Sequence, residues 1–204
     1  MMSDLLTAMP PGFLMMLLAL PIIWVPHHAR QLVMLAAIAM SAFSLTAGAG
    51  DHWVVGIMGL ELVLYRADNL SMPFAIVFHI AATLNVFYGW HERKVTDHAA
   101  GLAYAGAAIA ALHAGDLVTL FIWWEATAVT SVFLILASGT ARARHAAMRY
   151  LIVQVLSGVL LLSGAAMIFA DTGSLAFGAM ELGSMATWLV SVSYTHLTLP
   201  TTGS

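Results

Sequence analysis

Residues 117–138, LVTLFIWWEATAVTSVFLILAS, form an apolar run long enough to cross a lipid bilayer as a helix. Its only ionisable side chain is Glu125, and no other Asp, Glu, Lys or Arg lies well inside an apolar run of this chain. A charged residue at the centre of a membrane costs about 3 kcal/mol or more, so an acid at that depth usually has a function. Glu125 is therefore the first candidate functional residue.

The composition is that of a membrane protein with several spans. Hydrophobic residues make up 61% of the 204 residues and charged residues 8%, against roughly 25% charged in an average soluble domain. The absence of cysteine excludes disulfides, thiolate metal sites, iron–sulfur clusters and cysteine nucleophiles. The sequence also contains no P-loop, GxGxxG, GxSxG or HExxH motif. We therefore expect no cofactor, no metal and no nucleic-acid partner.

The apolar pattern predicts an all-α integral membrane protein with about six transmembrane helices. The first segment is short and contains Pro21, so we expect it to begin near Met9 and to kink. Between the second and third segments, His52–Asp68 has the partly alternating pattern of a short surface β-hairpin. The six predicted spans are Phe13–Val25, Gln31–Gly48, Leu70–Tyr88, Ala99–Ala114, Leu117–Ser138 and Ala147–Ala170.

These segments divide the chain into a two-helix segment (1–50), an external hairpin (51–68), a helical domain (69–190) and a tail (191–204). The first residues lack Lys and Arg, so we expect the first apolar run to be a retained span and not a signal peptide. From Ser191 the sequence is polar and rich in threonine, and we expect no helix to continue there. The tail is similar to translated adapter sequence, which predicts a longer natural protein; a genuine polar tail is the alternative.

Basic residues predict the orientation of the chain in the membrane. If the six helices alternate in direction, six of the seven basic residues fall on one side and only Arg66 falls on the other. The positive-inside rule makes the first side cytoplasmic and places both termini outside. The six residues are Arg30, Arg93, Lys94, Arg142, Arg144 and Arg149.

On a regular helix, the face of Glu125 carries only apolar neighbours, so a partner must come from another helix or from water. Burial disfavours the charged form of a carboxyl group, which allows it to take up and release a proton as its surroundings change. We therefore predict that Glu125 is a proton or cation relay. The alternative is a structural acid that locks two helices together. The neighbours on that face are Val118, Phe121, Ala128, Val129 and Val132.

Three other polar residues are candidates for the same path. His79 is the only one of nine histidines predicted to lie deep in a span, about 13 Å from its outer end and near the depth of Glu125. It is either a second relay or a histidine that is merely hydrogen-bonded to a neighbouring helix. Gln154 and Ser157 lie further into span six than Arg149. They either hold water between Glu125 and the cytoplasm or form ordinary interhelical hydrogen bonds.

Residues 115–140, GDLVTLFIWWEATAVTSVFLILASGT, resemble the fifth helix of antiporter-like membrane subunits, with a Phe–x–x–Trp–Glu core. Residues 144–174 resemble the following helix and its glycine-containing turn, and residues 66–80 resemble the Asp–x–Leu–Ser entry to the third helix. This family is shared by Mrp-type multi-subunit Na+/H+ antiporters and the L, M and N-type chains of respiratory complex I, the proton-translocating NADH-quinone oxidoreductase. The resemblance covers most of residues 50–180.

The resemblance implies that Glu125 forms an ion pair with a lysine on a seventh helix, which lies beyond this sequence. It also implies other membrane subunits, protons and Na+ as partners, and a multi-pass location in the bacterial inner membrane. The short loops and the Arg-rich connection after span five favour the D-type subunit of an Mrp antiporter, with a complex I subunit as the alternative. In both assignments redox chemistry belongs to other subunits.

Two further classes can be compared with this interpretation. A di-histidine haem protein needs two axial histidines facing one another at one depth, and His79 has no such partner in the predicted spans. A structural or assembly subunit without an ion path remains open, and in that case Glu125 would matter for complex formation and not for ion flux.

Overall fold

The computed structural model describes residues 7, 9–57, 59–177 and 184–198, with the backbone alone for residues 194–198. The described chain is mostly helical and contains one β-hairpin, as predicted. Its elements are α1 (Phe13–Ala19), a 3-10 turn (Pro21–Trp24), α2 (His27–Phe43), β1 (Gly50–Ile57), β2 (Leu60–Ala67), α3 (Ser71–Tyr88), α4 (Val95–Leu112), α5 (Leu117–Leu136), α6 (Ala141–Thr172) and α7 (Met185–Thr198).

Four helical segments in the described residues are long and apolar enough to cross a membrane. The predicted count of six spans is therefore not confirmed. The first predicted span is broken, and the fourth, α4, carries Thr96, Asp97 and His98 in its first turn. The four segments are His27–Thr46, Ser71–His91, Leu117–Leu136 and Ala141–Thr172.

The break in the first segment has a local cause. The prediction that the helix begins near Met9 is wrong: α1 begins at Phe13. Two prolines without an N–H group precede Gly12, whose φ of 86° lies in the left-handed region that glycine tolerates. The helix ends at Ala19, and a 3-10 turn begins at Pro21, so the predicted kink at this proline is confirmed.

Helix α6 begins earlier than predicted, and α7 ends later than predicted. Helix α6 begins at Ala141, where the Thr140 hydroxyl accepts a hydrogen bond from Ala143 N at 3.0 Å. Its 32 residues correspond to about 48 Å, longer than the hydrocarbon core of about 30 Å. Arg142 and Arg144 therefore lie on turns of this helix and not in the predicted loop between spans five and six.

Helix α7 continues through Thr198, so the prediction that helix stops near Ser191 is wrong. Its packing on α6 explains the difference, because the Ser157 hydroxyl of α6 donates to Ser193 O at 2.7 Å. Gly164 of α6 also lets α7 approach: a Cβ at that position would lie 2.7 Å from a Val190 methyl carbon. The rest of the predicted tail, residues 199–204, lies outside the described residues.

The main apolar core joins α1, α2, α3 and α4. Close approach of α1 and α4 depends on Gly106, because a Cβ there would lie 2.5 Å from Gly12 O and 3.0 Å from Met15 Cβ. Side chains that are at most 4% exposed form its centre: Met15, Ala19, Ile22, Met34, Ala37, Ile38, Val86, Leu102 and Ile109.

The predicted hairpin is confirmed, and it packs on the helical bundle. Its antiparallel strands pair from Gly50 with Ala67 to Ile57 with Leu60, with an irregularity near Trp53. The Arg66 guanidinium donates a hydrogen bond to Asp51 at 2.6 Å and thereby lowers the pKa of that carboxyl.

Strand β2 is attached to the connection between α4 and α5. Arg66 N donates to His113 O at 2.8 Å, and Gly115 N donates to Val63 O at 2.9 Å. A Cβ on Gly115 would overlap the Val63 side chain, so only glycine allows this close approach. The hairpin is thus bonded to the residues immediately before α5.

Candidate functional site

The start of α5 is held by Asp116, a residue that is 2% exposed. Its Oδ1 accepts a hydrogen bond from Thr119 N at 2.8 Å, the arrangement of an N-cap. Its Oδ2 accepts from the Thr119 hydroxyl at 2.7 Å and from Val63 N of β2 at 2.7 Å. One buried carboxylate therefore caps the helix and bonds it to the hairpin.

The N-cap role of Asp116 was not predicted from the sequence. The available signal was the order Asp–x–x–Thr directly before an apolar run, which is typical of a helix start. On the other side, Leu117 N donates to Leu175 O at 3.1 Å, just after α6. The N-terminal end of α5 is thus bonded to both the hairpin and the segment that follows α6.

Glu125 lies about 12 Å along α5 from Leu117, near the middle of this 20-residue helix. Its carboxyl group packs against Gly158 of α6. A Cβ built on Gly158 would overlap Glu125 Oε1, lie 2.9 Å from Glu125 Cδ and lie 3.3 Å from Phe121 Cε2. Within the part of the chain that the structure describes, Glu125 Oε1 is buried and has no hydrogen-bond partner.

Trp123, two residues before Glu125, is 7% exposed and packs toward α4 and α1. It contacts Ala110 and Ala114, and its ring meets Phe13 edge-on at 6.0 Å. One side of α5 is therefore closed by an aromatic cluster, and the acid lies on the side that faces α6.

The two candidates on α6 have different surroundings. Gln154 is 3% exposed, and its Oε1 is buried without a partner among the described residues. It precedes Gly158 by four residues and so lies on the same helix face, one turn nearer the N-terminal end of α6. The hydroxyl of Ser157 is engaged by Ser193 O of α7. Ser157 thus makes an interhelical hydrogen bond, which was the alternative to holding water. A water path through Gln154 stays a prediction.

His79 lies in another interface, between α3 and α2, and is 5% exposed. Its Nδ1 is 2.7 Å from Ala75 O, so that nitrogen carries the proton of the neutral ring. Its Nε2 is 2.9 Å from Ser41 Oγ and accepts from that hydroxyl. Ser41 Oγ in turn accepts from Gly12 N at 2.7 Å. This network joins α2 and α3 to the turn before α1.

The structure does not bring His79 and Glu125 together. His79 bonds to Ser41, whereas Glu125 packs against Gly158, and α4 lies between these interfaces. Among the described residues no hydrogen bond links the two side chains. A direct proton relay between His79 and Glu125 therefore stays a prediction. No hydrogen bond among the described residues supports it.

These features define a class: a helical membrane protein with a partly buried acid at the middle of an apolar helix. Residues 114–200 match the family described as "NADH:quinone oxidoreductase/Mrp antiporter, TM". This part of the chain is therefore similar to the membrane subunits that Mrp-type antiporters and respiratory complex I share.

Individual relatives come from both branches. The chain is 26% identical to the D-type subunit of the Na(+)/H(+) antiporter of Alkalihalophilus pseudofirmus over 76% of its length and 34% of the relative's. It is 31% identical to "NAD(P)H-quinone oxidoreductase chain 4 2" of Trichodesmium erythraeum over 57% of its length and 21% of the relative's. The chain thus spans about a third or less of the length of these relatives.

A chain of respiratory complex I from Thermus thermophilus, solved with bound aureothin, has a similar fold. The TM-score is 0.71 at 19% sequence identity, and the match covers 95% of this chain and 43% of the other. At this identity the similarity concerns the fold alone. It supports the helical architecture described above.

Proposed function

We propose that this chain is a proton- and cation-translocating component of a multi-subunit Na+/H+ antiporter, similar to the D-type subunit of an Mrp antiporter, in which Glu125 relays protons. The protein would act with other membrane subunits in the bacterial inner membrane. The observation that carries the proposal is a carboxyl oxygen buried at mid-helix, without a donor in the described residues, at the α5–α6 interface.

The chemistry of that position supports a group that changes its protonation state. A buried polar atom without a hydrogen bond is costly, and an unpaired buried charge is more costly. The cost falls when the carboxyl group binds a proton, when water enters, or when a cation approaches. Proton binding and the approach of a cation each couple the state of Glu125 to a neighbouring ion, which a translocation cycle requires.

Replacement of Glu125 by Gln in the full-length protein tests the proposal. Glutamine keeps the size of the side chain but cannot exchange a proton at physiological pH. We expect Na+-dependent proton flux in membrane vesicles to be lost, whereas Glu61→Gln, the same change on the exposed hairpin, should leave it intact. Unchanged flux in Glu125→Gln would remove the basis of the proposal.

The complex I branch is a second candidate, because the relative from Trichodesmium erythraeum belongs to that branch. The two candidates differ in their energy source. An antiporter component supports proton flux when a Na+ gradient alone is imposed, whereas a complex I component supports proton pumping only during quinone reduction. Measuring both in the same vesicles assigns the branch.

A purely structural role for Glu125 predicts a different result. If the acid only locks α5 to α6, Glu125→Gln should reduce the amount of assembled complex together with the flux. If it relays protons, the complex should assemble in normal amount and be inactive. Native gel electrophoresis of solubilised membranes separates these outcomes.

A further inference from the structure

The α5–α6 interface contains a glycine in the position where the Glu125 carboxyl group lies. Gly158 is in the interior of α6, where glycine is less favourable than alanine. Its backbone angles are not in the left-handed region, so the helix itself does not require glycine there. The need arises from the neighbouring helix, because any Cβ would overlap Glu125 Oε1.

We propose that Gly158 is a positioning residue for Glu125: the missing side chain creates the recess that holds the carboxyl group against the α6 backbone. Phe121, one turn before Glu125, lies 3.3 Å from the same Cβ position and closes the outer side of this recess. Gln154 lies one turn away on the same face of α6 and is buried. This inference rests on the proposed relay function of Glu125. It adds that Gly158 sets the position of the carboxyl group.

The nature of the overlap separates this role from ordinary helix packing. The atom that a methyl group at position 158 would meet is the end of a flexible side chain, so the carboxyl group can move and the helices need not separate. At Gly164, on the same helix, a methyl group would meet Val190 Cγ2 at 2.7 Å and the backbone oxygen of Ala186 at 3.0 Å. There the only relief is a shift of α7 relative to α6.

These geometries predict opposite results for two matched substitutions. Gly158→Ala should leave assembly and thermal stability close to those of the parent protein while it moves the carboxyl group. Gly164→Ala should weaken the α6–α7 contact and lower thermal stability while Glu125 stays in place. Each substitution adds one methyl group to the interior of α6, so helix propensity changes equally in both.

The test measures Glu125 directly and then its function, in full-length protein in native membranes. A hydrophobic carbodiimide, which reacts with protonated carboxyl groups, is applied over a range of pH, and modified Glu125 is quantified by mass spectrometry. We expect Gly158→Ala to change the labelling rate and its pH profile, and Gly164→Ala to change neither. Identical labelling of Glu125 in Gly158→Ala and the parent protein would overturn the inference.

Flux provides the second readout. Displacement of a reacting group by about 1 Å can cost on the order of 100-fold in rate, so we expect Gly158→Ala to lower Na+-dependent proton flux by about tenfold. Shortening the acid should relieve the overlap, so Glu125→Asp combined with Gly158→Ala should be more active than Gly158→Ala alone. A double variant no better than Gly158→Ala would contradict positioning through this overlap.

The same measurements distinguish this inference from the proposed function. Full flux in Glu125→Gln would remove the relay, whatever happens at Gly158. Lost flux in Glu125→Gln, combined with parental flux and labelling in Gly158→Ala, would keep the relay and remove the role of Gly158.

Discussion

The hydrogen bonds of Asp116 allow a quantitative test of what stabilises the N-terminal end of α5. The carboxylate accepts hydrogen bonds from two backbone donors, Thr119 N and Val63 N, and from the Thr119 hydroxyl. Asp116→Ala leaves both backbone donors without this acceptor. Each unsatisfied buried donor costs about 1–3 kcal/mol, so the expected loss in the free energy of unfolding is about 2–6 kcal/mol.

Asp116→Asn should cost about half as much. In either orientation of the amide, one backbone N–H loses its acceptor while the other keeps a carbonyl oxygen, so we expect a loss of about 1–3 kcal/mol. Asp171→Ala is the control, because Asp171 is exposed at the end of α6 and should change the stability by no more than about 0.5 kcal/mol.

Unfolding followed by circular dichroism in mixed micelles of increasing SDS content measures all three variants. The expected order of stability is Asp171→Ala, then Asp116→Asn, then Asp116→Ala. If Asp116→Asn were as unstable as Asp116→Ala, the count of lost donors would not explain the effect. If Asp116→Ala were as stable as the control, the N-cap reasoning itself would be refuted.

Two further predictions concern buried hydrogen bonds outside the proposed site. Burial raises the pKa of Tyr65, whose hydroxyl donates to Ser44 O at 2.8 Å, to about 12 from its ordinary value of 10.0. The stability that depends on the neutral phenol is therefore complete below pH 10.0 and is lost as the pH rises toward about 12. Tyr65→Phe should remove an absorbance step of tyrosinate near pH 12, and a step centred near pH 10.0 would contradict burial. Ser41→Ala should lower the free energy of unfolding by about 1–3 kcal/mol, because Gly12 N and His79 Nε2 lose their partner; a loss no larger than in the exposed control Ser138→Ala would contradict the network.

Much of the helical architecture could be predicted from residue type and spacing. The predicted spans Leu70–Tyr88 and Leu117–Ser138 agree within two residues with α3 and α5, because long apolar runs form helices locally. The hairpin was predicted for a similar reason, since partial alternation of apolar residues is a local signal. The error along α7 falls where a neighbouring helix decides the outcome.

Residue roles were less accessible from the sequence. The depth of Glu125 follows from its position in an apolar run, but the partner of that acid depends on which helix lies beside it. His79 and Glu125 have similar depth along their helices, and depth alone suggested a common path. Their side chains face different interfaces, a fact that depends on the rotation of each helix about its axis.

By itself the sequence determined the class of this protein, because the transfer of apolar side chains out of water depends mainly on composition and run length. It also determined the presence of one acid within an apolar helix. Only the tertiary structure decided that this acid lies against Gly158, that Asp116 bonds α5 to the hairpin, and that Ser157 bonds to α7. These contacts join residues far apart in the chain, and their geometry depends on close packing between helices, which no local pattern specifies.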